Sequence, residues 1–237
     1  MDSGVRKISK FVFLIFLIAL FSCSKKENEA MIDMVLIPSG EFIMGSNEGA
    51  VDEGPERNIY LQSFFIDKYA VTNEQYKNYI EETKHPLPKG WAFTGYDSNF
   101  RDHPVVFVNY NDAEAYCTRQ GKRLLNEEEW EKAARGTDGR KYPWGDHFDE
   151  TNANTSLGEI VGTVPVTSYE SGKSPYGLLN MAGNVWEWTS TAGQNEGTKI
   201  TRGGSWGLSH RFSRTFSRAG YNAKAELNNI GFRCAKD

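Results

Sequence analysis

Apolar positions in this chain recur over short stretches and seldom sustain a long period. Met34 to Gly45, MVLIPSGEFIMG, predicts two short strands about a Pro38-Ser39-Gly40 turn. Ile59 to Val71 alternates as a strand does, and Thr72 then opens a helix. Gln75 sits three residues on and closes a capping box, with Tyr76, Tyr79 and Ile80 on the apolar side. His85 to Arg101 reads as an irregular loop, and His103 to Val108 as an extended approach to a second helix. That helix is expected to be capped by Asn111, with Glu114 at its third position and Cys117 in its later turns. Asn126 and Glu129 mark a third start, turning Trp130, Ala133 and Ala134 inward. Helix starts all but cease after Gly136. A turn at Tyr142–Asp146, a polar run at Thr151–Thr155 and short strands at 164–166, 185–189, 200–206 and 230–235 complete the chain. With no internal repeat and no linker composition, one domain is expected.

The densest stretch is Asn180 to Thr189, NMAGNVWEWT. In an extended segment Trp186 and Trp188 share one face and Glu187 points to the other. The period alone favours a packed core strand in which Glu187 finds a salt-bridge partner. The competing reading is a Ca²⁺ loop, because a carboxylate beside a Gly turn offers the oxygen donors that hard cations take.

Two features change the picture before the fold. The formal charge of −4, with no basic stripe, gives no reason to expect nucleic-acid binding. At the N-terminus, Arg6, Lys7 and Lys10 precede an apolar run from Phe11 to Phe21, the proportions of a signal peptide. The run is too short for an ordinary transmembrane helix. It ends in Leu-Phe-Ser-Cys, which resembles a bacterial lipobox with Cys23 as the lipidated residue. The expectation is therefore a signal peptide over 1–22, a polar tether over 23–31 and a domain over 32–237. Loss of the leader removes three basic side chains and one acidic one, leaving a charge of −6. Ser24 after the cysteine resembles an outer-membrane sorting signal, so a lipid-anchored protein of the cell envelope is expected. Cys117 and Cys234 then form an even pair in an oxidising compartment. A disulfide between them is expected, and two buried free thiols are the alternative.

Together IPSGEFIMGS, FFIDKYAVTNEQYKNY, HPVVFVNYNDAEAYC, GKRLLNEEEWEKAARG, YPWGD, YGLLNMAGNVWEWT, RGGSW and GFRCA resemble the formylglycine-generating enzyme, or sulfatase-modifying factor, family. The likeness runs over nearly all of residues 32–237. It implies an α+β fold: one mixed domain related to the C-type lectin fold, with little regular secondary structure and structural Ca²⁺. Carried over residue by residue, Ala182, Gly183 and Val185 would give carbonyls and Glu187 a carboxylate to a first calcium. A second would use Asn154, the Thr155 carbonyl and a carbonyl near Ile160, with Gly158 standing where the family has an acidic residue. Cys117 and Cys234 match the family's common disulfide.

The catalytic part departs from the family. Formylglycine-generating enzymes bind Cu(I) through two cysteines after the GGS motif, because soft thiolates suit that ion. Here Ser209 stands at the first position and Ser213 near the second, and no cysteine lies between Cys117 and Cys234. No copper is expected. Trp188, His210 and Arg211 are the remaining candidates for a cleft. The resulting expectation is a non-catalytic binding or assembly module, anchored by lipid and meeting another envelope protein or peptide. A copper-independent oxidoreductase acting on a secreted peptide or metabolite is the first alternative. Lectin-like ligand binding is the second.

Overall fold

The computed structural model describes residues 34–237. The leader, lipobox and tether lie outside the described residues. Strands β1 (Met34–Ile37) and β2 (Gly40–Met44) flank the expected turn, yet they do not pair with each other. β2 joins β3 (Arg57–Leu61) in a two-stranded antiparallel ribbon, with Phe42 opposite Ile59. The single strand expected over 59–71 is broken at Gln62-Ser63, and its second part is β4 (Phe64–Asp67). β4 turns Phe64 and Ile66 into the core.

The first helix, α1 (Asn73–Thr83), starts as the sequence predicts. Thr72 Oγ1 accepts from Gln75 N at 3.2 Å and Gln75 Oε1 accepts from Thr72 N at 2.9 Å. The supposed loop 85–101 instead contains a short helix, α2 (Lys89–Thr94), which buries none of its residues. Propensity gives little sign of it, because Lys-Gly-Trp-Ala-Phe-Thr has no apolar period. α3 (Tyr110–Arg119) begins two residues earlier than expected. Asn109, not Asn111, is its cap, and Asp112 closes the box from the third position. α4 (Glu127–Arg135) begins at Asn126 as expected and buries Trp130, Ala133 and Ala134.

Two four-stranded sheets organise the remainder, with orders β1-β4-β10-β5 and β8-β7-β6-β9. β5 is Arg123–Leu124, β6 is Trp186–Ala192, β7 is Thr198–Arg202 and β8 is Arg218–Asn222. The segment expected as one strand, 230–235, is two: β9 (Ile230–Gly231) lies beside β6, and β10 (Cys234–Lys236) lies between β4 and β5. Residues 164–166 are not a strand. Side-chain amides satisfy their backbone instead: Asn184 Oδ1 accepts from Val164 N at 3.0 Å, Asn184 Nδ2 donates to Val164 O at 3.2 Å, and Asn180 Nδ2 donates to Val166 O at 2.8 Å.

Cys117 in α3 and Cys234 in β10 form the expected disulfide, 117 residues apart. It sits in a core that contains Trp186, Trp188, Tyr76, Tyr116 and Phe232. A second core packs Trp130, Ala133 and Ala134 against Phe64, Ile66, Leu178 and Met181. The fold is a mixed α+β domain with few helices.

Candidate functional site

Between the sheets, two polar hubs fix the turn that carries the candidate residues. In one, Glu131 of α4 accepts from Arg135 Nη1 at 2.7 Å and from Arg202 Nη2, all three side chains being buried. Gly45 N adds a third donor to the same carboxylate at 2.7 Å. Arg202 ends β7 and also donates to Phe216 O at 3.0 Å, so the Gly203-Gly204-Ser205 turn leaves from a fixed point. Gly203 and Gly204 have φ of 99° and 74°, and a Cβ on Gly204 would stand 2.5 Å from Ser213 Oγ. Only glycine admits that approach.

The turn delivers His210, Arg211 and Ser213 in one 3₁₀ segment, His210–Ser213, with Ser209 just before it. Ser209 is half-buried and its side chain caps the segment by accepting from Arg211 N. Ser213 is fully buried, and no donor or acceptor meets its Oγ. The ring of His210 packs on Phe148 at 4.6 Å, with Nδ1 buried and unpartnered. Trp188 does not join them. It is 1% exposed, lies in the core and donates from Nε1 to Val108 O at 3.0 Å. Its place on the packed face of β6 removes it from any cleft. The two expected candidates, Ser209 and Ser213, thus offer hydroxyls, one at a cap and one sealed inside. That set does not suit a soft monovalent copper ion.

In the second hub Glu187 meets a partner the sequence reading omitted. Arg233 clamps it with Nε to Oε2 at 2.8 Å and Nη2 to Oε1 at 2.7 Å, and Trp130 Nε1 donates to Oε2 at 2.8 Å. The carboxylate expected to meet calcium is thus one half of a buried ion pair. Nothing local in the sequence announces a guanidinium 46 residues away.

Other members of the expected calcium set are brought together. Asn184 N donates to Asn154 O at 2.8 Å, joining the Ala182-Gly183-Asn184 turn to the Asn154-Thr155 segment. Gly183 packs so tightly there that a Cβ would fall 2.3 Å from Asn154 O. The Thr155 carbonyl accepts from Gly158 N at 3.1 Å, whereas Ile160 is 47% exposed on the surface beyond. Two buried amide oxygens, Asn154 Oδ1 and Asn180 Oδ1, have no partner among the described residues. Buried acceptors of this kind are costly and suit a hard cation or an ordered water. Asn180 was not among the expected ligands. Its left-handed φ of 56° marks it as a constrained position. Among the described residues no group of three His, Cys, Asp or Glu side chains is arranged to hold a metal.

The elements and the turn together define a mixed α+β domain whose glycine-rich GGS loop is held by buried Arg–Glu pairs. The chain belongs to the sulfatase-modifying factor enzyme 1-like domain family, which matches residues 21–237. It is 32% identical to inactive Cα-formylglycine-generating enzyme 2 of Bos taurus, with 88% of this chain and 89% of that protein covered. It is 31% identical to the formylglycine-generating enzyme of Thermomonospora curvata, covering 86% of this chain and 93% of that protein. Among solved structures, PvdO from Pseudomonas aeruginosa is similar, with a TM-score of 0.73 and 25% identity over 86% of this chain and 94% of that one.

Proposed function

We propose that this chain is a non-catalytic member of the formylglycine-generating enzyme family, held at a bacterial membrane by a lipid on Cys23. It serves there as a binding or assembly module for another envelope protein or peptide. One observation carries the reading. No cysteine follows the GGS motif before Cys234; Ser209 stands where the resemblance puts the first thiolate and Ser213 lies near the second, and the Ser213 hydroxyl is buried without a partner. Similarity to relatives named inactive formylglycine-generating enzyme supports it. The Lys-rich n-region and the Leu-Phe-Ser-Cys ending support the anchor.

The decisive experiment supplies purified chain with Cu(I), O₂ and a cysteine-containing peptide, and follows peptide mass and oxygen uptake. No formylglycine and no uptake above the copper blank are expected; enzyme-dependent turnover would end the reading. For the anchor, Cys23→Ala should move the protein from the membrane to the soluble fraction.

Structural calcium belongs to the same proposal, with a donor set revised toward amide and backbone oxygens. Asn154 Oδ1 and Asn180 Oδ1 are each a buried acceptor that such an ion would satisfy. An ion at either would complete the coordination of a neutral amide oxygen that is otherwise buried without a partner. A copper-independent oxidoreductase at the His210 turn is the second reading, favoured by the unpartnered Nδ1 of His210. Loss of cellular function in His210→Ala, with normal folding, would support it over the first.

A further inference from the structure

Beside the 3₁₀ segment that carries His210 lies a cleft of about 660 Å³, within the size range of ligand sites. Its wall is aromatic. Trp144 and Phe148 line it and approach at 6.3 Å; behind them buried Tyr142 stacks on Trp144 at 5.4 Å, and Phe148 in turn packs on His210. Its rim carries three carboxylates, Asp146, Asp149 and Glu150, and no lysine or arginine lines it. Basic groups on neighbouring elements each pair with another carboxylate: Lys141 with Glu48 at 2.6 Å, Arg214 with Glu53 at 3.1 Å, and Arg140, which also feels the charge of Asp146, with Asp138 at 2.7 Å. Arg211, next to His210, is exposed and outside the lining.

The lining also decides between classes of occupant. Apart from the Trp144 indole, the lining has two side-chain donors, His147 and Asn152, against three carboxylates; Asp146 and Asp149 each use one oxygen, on Lys141 N and Thr151, which leaves negative charge in excess. The indole N–H of Trp144 is already spent on His147 O at 2.9 Å. Ammonium and guanidinium groups are donors only, and they gain from both a carboxylate rim and an aromatic face. We infer that this cleft receives a lysine or arginine side chain from a partner polypeptide. The inference rests on the binding-module reading and gives that partner its chemistry.

The test titrates the purified chain with the probe peptide acetyl-Gly-Lys-Gly-Arg-Gly-amide, followed by calorimetry and tryptophan fluorescence. The expected result is saturable binding that weakens severalfold as salt rises from about 0.05 M to about 0.5 M. Trp144→Ala should weaken it by about 2- to 30-fold, the range of a cation–π contact. Glu150→Gln, a surface change expected to leave the melting temperature unaltered, should weaken it by about two- to fivefold. Equal binding by Glu150→Gln and Trp144→Ala, or equal binding of a peptide with Glu in place of Lys and Arg, overturns the inference. So does binding of N,N′-diacetylchitobiose when the basic peptide fails to bind. A cysteine-bearing version of the peptide that binds and is then oxidised would overturn the non-catalytic reading while leaving the cleft assignment standing.

Discussion

Arg233 grips Glu187 through two parallel hydrogen bonds of 2.7 and 2.8 Å, with both side chains almost completely removed from solvent. The guanidinium also donates to Leu179 O at 2.9 Å, so it joins β6 to the segment leading into the Asn180 turn. Burying one charge of such a pair without the other is far costlier than burying both or neither. Arg233→Ala should therefore cost about 3–5 kcal/mol, and Glu187→Gln should also destabilise. The double change Arg233→Met with Glu187→Leu should cost less than the sum of its single changes. Urea melts of the four proteins measure this directly, and additive losses would contradict a coupled pair.

The disulfide restrains a loop of 117 residues. In the chain-entropy account its removal should cost about 4–5 kcal/mol. Cys117→Ala with Cys234→Ala should melt well below the parent in the absence of reductant. In dithiothreitol the parent should fall toward the double variant. A parent melt that reductant does not move would mean the bridge contributes little.

His103 gives the pH dependence. Burial pulls its pKa below the ordinary 6.5, against opposing contributions from Thr163 and Asp102. The folded chain thus holds this ring neutral at a pH where the unfolded chain already binds a proton. Stability is fully kept above pH 6.5 and falls as the pH drops through 6.5 toward the folded value. His103→Gln should flatten that part of a stability-versus-pH curve. An unchanged slope in the variant would remove His103 as the cause.

Calcium removal tests the amide oxygens. In excess chelator the melting temperature should fall, and added Ca²⁺ should restore it. Asn180→Gly tolerates the left-handed backbone but deletes the amide, so it should melt lower and lose the response to chelator. A parent melt indifferent to chelator would show that water, not calcium, meets Asn180 Oδ1.

Legibility in the sequence followed the range of the interactions. Thr72 with Gln75, and Asn126 with Glu129, are contacts across three residues, and their pattern alone placed two helix starts correctly. The α3 start was misplaced because Asn109 and Asn111 are both good caps, and an Asp rather than a Glu closes the box. β8, Arg-Ala-Gly-Tyr-Asn, escaped notice because it lacks an apolar alternation; its register comes from β7. The candidate turn was visible as GGSW followed by Ser209, His210 and Arg211, since those residues are neighbours in sequence. What could not be read was which distant charge each buried carboxylate would meet. Arg233 for Glu187, and Arg202 for Glu131, are choices made by the packed fold. Trp188 is a further case: the partner that fixes it in the core, Val108 O, is 80 residues back in the chain.

The position of β10 between β4 and β5 has a consequence for the order in which the sheet can close. The middle of that sheet, the bridging Cys234 and the clamping Arg233 all come from one segment, 233–236, far in sequence from everything it joins. Until that segment docks, β4 and β5 have a gap between them, Glu187 has no counter-ion and Cys117 has no mate. Sheet closure, charge pairing and disulfide formation are therefore tied to a single long-range event. A chain from which residues 233–237 are deleted should accumulate in a protease-sensitive form, however complete the remainder of the fold.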